Sequence, residues 1–132
     1  MSSDLPESAA VNDTSKRSRI LVTDDNRDAA QSLALMLELD GHEVRTAYDG
    51  IEALEVAEVF RPEIILLDVG MPRLDGYETA RRLRQQPWGS ALRLIALTGW
   101  GQEKDKSKAK EAGFDHHLVK PVDPEVLQRL LS

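Results

Sequence analysis

Five short apolar runs punctuate the chain at 19–23, 43–48, 64–67, 92–97 and 115–119, each closed by polar or turn-forming residues. Between and after them, apolar residues return at three- and four-residue spacing, the mark of helices that bury one face. The first helix is expected over 27–40, with Asn26 as N-cap and Gly41 just past its end. It carries Ala30, Leu33, Ala34 and Leu37 on one stripe and Leu35, Met36 and Leu39 beside it, more apolar surface than a single core face needs. Part of that helix is therefore expected to meet a partner. A second helix opens at Gly50, with Ile51, Leu54, Val56 and Val59 as its apolar residues, and closes before Pro62. The third follows Asp75-Gly76-Tyr77-Glu78, an acid three residues ahead of a glutamate in the manner of a capping box, and runs through Gln86 before Pro87 breaks it. The fourth, 103–112, is rich in lysine with little but Ala109 and Ala112 to hold it down. The fifth starts at Asp123-Pro124 and is expected to bury Val126, Leu127 and Leu130. Strict alternation of strand and helix predicts an α/β fold, a doubly wound five-stranded parallel sheet flanked by five helices.

Chemistry gathers where the strands end. The first stops at Asp24-Asp25, the third at Asp68-Val69-Gly70, the fourth at Thr98 and the fifth at Lys120-Pro121. Parallel strands point the same way, so these ends converge on one edge of the sheet, where such folds bind their ligands. Taken singly, Asp68 reads as a helix cap, Thr98 as a turn residue and Lys120 as a surface charge; five such residues at consecutive strand ends read as a site. Three crowded carboxylates resist ionising together. A hard divalent cation relieves the conflict, and an oxygen-only set without His or Cys suits Mg²⁺. Carboxylate, Mg²⁺ and ammonium together make a kit for phosphoryl transfer to an acid. Asp68 is the expected nucleophile, Asp24 and Asp25 hold the metal, and Thr98 and Lys120 contact the phosphoryl group from either side.

Composition narrows the picture. A chain of 132 residues suits one domain over 19–132, preceded by a polar, flexible tail over 1–18. The absence of cysteine fits a reducing compartment, and no segment resembles a leader or a membrane span, so a cytoplasmic location without membrane association is expected. A net charge of −6 argues against nucleic acid as a partner. The basic groups at Arg81, Arg82 and Arg84 and at 104–110 are expected to be solvated helix faces.

With these motifs in place, Asp24-Asp25, Asp68-x-x-Met71-Pro72-x-x-Asp75-Gly76, Thr98-Gly99 and Lys120-Pro121, the chain resembles the receiver domain of two-component response regulators. The resemblance covers about residues 19–131. It implies the CheY-like, flavodoxin-like strand order 2-1-3-4-5 and a phosphoryl group taken from a phosphohistidine on a histidine kinase or histidine phosphotransfer protein. It also implies a main-chain metal ligand at Gly70, a cis Lys120–Pro121 bond, and no enzymatic role beyond self-phosphorylation and self-dephosphorylation. A downstream protein would read the face built from 98–120. Either a single-domain response regulator or the receiver of a hybrid histidine kinase fits.

Three positions depart from the pattern. His117 stands where the family has an aromatic switch residue; it either follows Thr98 with a pH-sensitive preference or is a half-buried strand histidine. Gly70 and Trp100, two positions past Asp68 and Thr98, are expected to alter the lifetime of the acyl phosphate. Two further readings remain: a small Mg²⁺-dependent phosphatase of the haloacid dehalogenase type, which needs Asp-x-Asp after the first strand where this chain has Asp24-x-Asn26, and a pseudo-receiver that only binds partners.

Overall fold

In the computed structural model, which describes residues 17–71, 74–99 and 106–131, the expected rhythm is present throughout. In chain order the elements are β1 (Arg19–Thr23), α1 (Arg27–Leu39), β2 (Glu43–Ala47), α2 (Gly50–Phe60), β3 (Ile64–Asp68), α3 (Gly76–Arg84) and a 3₁₀ turn (Gly89–Ala91). They continue with β4 (Arg93–Thr98), α4 (Lys106–Ala112), β5 (His116–Val119) and α5 (Pro124–Leu131). The sheet runs β2-β1-β3-β4-β5, all pairs parallel, which is the 2-1-3-4-5 order.

The strands divide their side chains between two cores. Leu21, Ile65, Leu67, Leu94 and Ala96 face α2, α3 and α4, whereas Ile20, Val22, Leu66, Ile95, Leu97 and Leu118 face α1 and α5. All five residues of β3 are buried, as expected of a central strand covered on both faces. Each large aliphatic side chain removed from water there contributes about 1.5–3 kcal/mol.

Helix ends follow local chemistry. Asn26 accepts the Ala29 N–H at 3.1 Å, Asp75 the Glu78 N–H at 2.9 Å and Asp123 the Glu125 N–H at 2.9 Å. Gly41 and Gly113 take positive φ just beyond α1 and α4. Burial departs from expectation on α2, where Gly50, Ala53 and Ala57 meet the core while Ile51 is 45% exposed and Val59 87%. Small residues at that spacing let the helix lie close to the sheet, and the larger side chains are displaced to its flanks. On α5, likewise, Leu127 and Leu131 are buried, and Val126 and Leu130 are only partly so. Leu35 and Leu39 on α1 stand out in solvent, as the surplus of apolar residues predicted.

Arg84 overturns its assignment to a solvated face. Its guanidinium donates to the carbonyls of Gly113 (3.0 and 2.7 Å), Gly89 (2.8 Å) and Leu92 (2.7 Å), and to Asp115 Oδ2 (2.9 Å). Arg81 and Arg82 do behave as expected, pairing in solvent with Glu78. Ser18, the last residue of the expected tail, is buried, with its N–H on His42 Nδ1 at 3.1 Å and its carbonyl on the Glu43 N–H. Residues 1–16, Pro72, Trp100 and the start of the Lys-rich segment, 103–105, lie outside the described residues. Among the described residues no helix is long and apolar enough to cross a membrane.

Candidate phosphoryl-acceptor site

The ends of β1, β3, β4 and β5 meet at one rim of the sheet, and the side chains there are fixed by backbone donors. Asp24 is 3% exposed; its N–H bonds Ala47 O at 3.1 Å and its Oδ1 accepts the Asn26 N–H at 3.0 Å. Asp68, 4% exposed, accepts the Gly70 N–H on Oδ1 at 2.9 Å and the Lys120 ammonium on Oδ2 at 3.0 Å. The same ammonium lies 3.6 Å from Asp24 Oδ2, and the Lys120 N–H bonds Thr98 O at 2.7 Å. Asp25 is exposed at the mouth, and carboxylate oxygens of Asp24, Asp25 and Asp68 all fall within 4.8 Å of one another. Thr98 is buried at the end of β4 and donates its hydroxyl to Leu118 O at 3.3 Å. The Lys120–Pro121 bond is cis.

His117 pairs in register with Ala96, and Val119 with Thr98. The imidazole thus belongs to the sheet face of Thr98, one pleat further down, and is half-buried there. Trp100, another of the three departures named from the sequence, is not among the described residues.

The site is short of positive charge. Burial pushes the Asp24 carboxyl up to about 6 from the ordinary 3.8; the Asn26 N–H works against this and the neighbouring Asp68 charge adds to it. Burial also disfavours the Lys120 ammonium, but its hydrogen bond to Asp68 and the two carboxylate charges outweigh that, and its pKa is raised. Among the described residues, Lys120 therefore pairs with two acids, Asp24 and Asp68, of a cluster of three. That donor set fits a hard divalent cation held by oxygen.

Two features escaped the sequence. A Cβ on Gly76 would come within 2.5 Å of Val69 Cα and 2.6 Å of Asp68 O, so only glycine lets the start of α3 close over the main chain of the buried acid. The signal was present, since the glycine follows Asp75, but it read as part of a cap. Thr23 was read only as the end of a strand, yet its Oγ1 is buried beside the acids in sequence with no hydrogen-bond partner. We expect Gly76→Ala to destabilise the domain by about 3 kcal/mol, since backbone rather than a flexible side chain must move. A thermal melt within ~1 kcal/mol of wild type contradicts this.

Comparison with known proteins agrees with this geometry. Residues 20–132 match the family model described as response regulator receiver domain. The chain is 43% identical over 113 residues to an uncharacterized 14.6 kDa protein of Leptolyngbya boryana, covering 86% of each. It is 42% identical over 109 residues to the response regulator MprA of Mycobacterium ulcerans, covering 83% of this chain but only 46% of that one. Among solved structures, the receiver domain of the sensor histidine kinase PA1611 from Pseudomonas aeruginosa PAO1, described with a magnesium ion coordinated in its active site cleft, superposes with a TM-score of 0.79 at 35% identity. That match covers 88% of this chain and 95% of that one. With its motifs, fold and relatives in agreement, the chain belongs to the response regulator receiver domains of two-component signalling.

Proposed function

We propose that residues 19–132 act as the phosphoacceptor of a two-component relay, with Asp68 taking the phosphoryl group from a phosphohistidine on a histidine kinase or histidine phosphotransfer protein. The observation that carries this reading is the Lys120 ammonium, 3.0 Å from Asp68 and 3.6 Å from Asp24 beside the acidic trio. An Asp68 oxygen forms a bond to phosphorus as the phosphorus–nitrogen bond breaks, and the released imidazole takes up a proton. Lys120 exchanges part of its hold on the carboxylate for the charge gathering on the phosphoryl oxygens. Thr98 releases Leu118 O and donates its hydroxyl to the same group.

Asp24, Asp25, Asp68 and the Gly70 carbonyl would hold Mg²⁺, which when bound supplies the positive charge that lets the acids and a phosphoryl group share one cleft. The Gly70 N–H already rests on Asp68, which brings that residue to the rim. Beside the acids, a groove of about 560 Å³ is lined by Asn26, Leu33, Met36, Pro121 and Val122. With the exposed Leu35 and Leu39 nearby on α1, it offers the phosphodonor protein an apolar seat.

Once Thr98 moves, the space beyond it on the same sheet face is bordered by His117, and α4 and β5 shift with it toward a state that a downstream protein binds better. NMR spectra of the protein before and after phosphorylation should differ at the His117 ring and around β5. Identical spectra contradict a switching role for His117. The Leptolyngbya relative, itself a protein of 14.6 kDa, supports a free-standing regulator, and the PA1611 receiver a hybrid-kinase setting. The test of the function itself is transfer of label from a phosphorylated kinase or phosphotransfer protein to the wild-type chain and not to Asp68→Asn.

A further inference from the structure

At the opposite end of the sheet, the first residues of three strands and the end of α5 surround a pocket of about 440 Å³. Its polar lining is basic on a chain that is acidic as a whole: Arg19 opens β1, Arg93 opens β4 and Arg61 caps α2. Arg19 spends two donors on Arg61 O and Arg93 one on Leu130 O, both neutral main-chain acceptors. Among the described residues neither is ion-paired with a carboxylate, whereas Arg61 reaches Glu58. Glu63, the acid in the lining, is occupied by the Arg19 backbone N–H. The rest of the wall is apolar, with Ile64, Leu92 and the indole of Trp88.

Arg61 marks the pocket as more than a gap between elements. Arg61 is the one described non-glycine residue with positive φ, at 51°, where glycine would stand without strain. An arginine kept at such a place has a use for its side chain, and the guanidinium lies over the Trp88 ring, 5.0 Å from its centroid. Guanidinium charge facing neutral acceptors beside an aromatic wall calls for an acceptor-rich anion with a flat apolar body.

We propose that this pocket binds a small organic anion, an aromatic carboxylate, independently of the chemistry at Asp68. Its walls come from the first residues of strands whose far ends carry the acids, so a ligand there contacts the same strands at their other end. The inference does not depend on Asp68 accepting phosphate and can fail or stand alone.

The test uses the whole chain with Trp100→Phe, which leaves Trp88 as the sole tryptophan of the original two. The probe is 1-anilinonaphthalene-8-sulfonate, an aromatic anion whose emission is excited by transfer from Trp88. We expect saturable binding of one probe per chain, displaced by 2-naphthoate and not by the neutral 2-naphthalenemethanol. Arg61→Gly, which suits the left-handed backbone and so keeps the fold, and Arg93→Gln should each weaken binding about tenfold, the loss of one charge-assisted contact. A thermal melt of each variant checks that it is folded. Absence of saturable binding, affinity in both folded arginine variants equal to that of the parent Trp100→Phe chain, or equal displacement by the neutral alcohol each overturns the proposal.

Discussion

Arg84→Met should lower the unfolding free energy by about 3 kcal/mol and the melting temperature by roughly 10 °C. All five donors of the guanidinium are engaged, on three main-chain carbonyls and Asp115. Methionine keeps the stem and removes every donor, leaving the partly buried carbonyls of Gly89, Leu92 and Gly113 without them. Hydrogen bonds to a charged group contribute about 1.5–3 kcal/mol each, and water reaching the half-buried site recovers part of that loss. These segments have little room to adjust: Gly89 is packed so tightly under α3 that a Cβ there would strike Leu83 O, and Gly113 is held at φ +107°. Asp115 also receives the Leu94 N–H at 2.9 Å, so the damage spreads to the pairing of β4 with β5. Arg84→Lys should recover little, because one ammonium cannot reach four acceptors arranged for a planar fork. Thermal and urea melts of the two variants measure this; a lysine variant as stable as wild type contradicts it.

The second large effect concerns charge at the acidic rim. Asp24 in the fold binds its proton up to about pH 6, whereas in the unfolded chain it releases it near 3.8. Between those values the folded state holds more protons, so the stability tied to the protonated carboxyl is complete below about 3.8 and is lost as pH rises through about 6. The gap corresponds to roughly 2 to 3 kcal/mol. Without metal, Asp24→Asn should therefore be more stable than wild type by about that amount at neutral pH, and the two should converge near pH 4. Asparagine keeps an oxygen for the Asn26 N–H, which isolates the charge. Added Mg²⁺ should raise the melting temperature of wild type by mass action, and that of Asp24→Asn much less. Equal stability of the two proteins across this pH range, or an equal gain from Mg²⁺, contradicts the account.

The elements read from the sequence are those whose signals are local. A buried run such as Ile64–Asp68 ending in an acid and a glycine, or Asp75 and Asn26 with their caps, states its structure within a few residues. The convergence of Asp24, Asp68 and Lys120 was legible too, because parallel strands leave one geometry for their ends. Arg84 was not: it sits two and three residues after Arg82 and Arg81 with the same composition around it, and only the return of the chain at Gly89, Leu92, Gly113 and Asp115 gives it partners. The face of α2 was misread for a related reason. Its sequence offers Ile51 and Val59, but the depth of the neighbouring sheet selects Ala53 and Ala57. Gly76 lies between the two cases, a local signal whose tertiary reason is the main chain of Asp68 passing beneath it.

The central claim is that Asp68 carries the phosphoryl group, made possible by the acids and ammonium around it. Intact mass spectrometry after incubation with acetyl phosphate and Mg²⁺ tests it most directly. Wild type should gain the mass of one phosphoryl group, lose it on mild alkaline treatment as an acyl phosphate does, and gain none when EDTA replaces the metal, while Asp68→Asn stays unmodified throughout. A wild-type chain that never gains the mass, or an Asp68→Asn variant that gains it equally, would contradict the account.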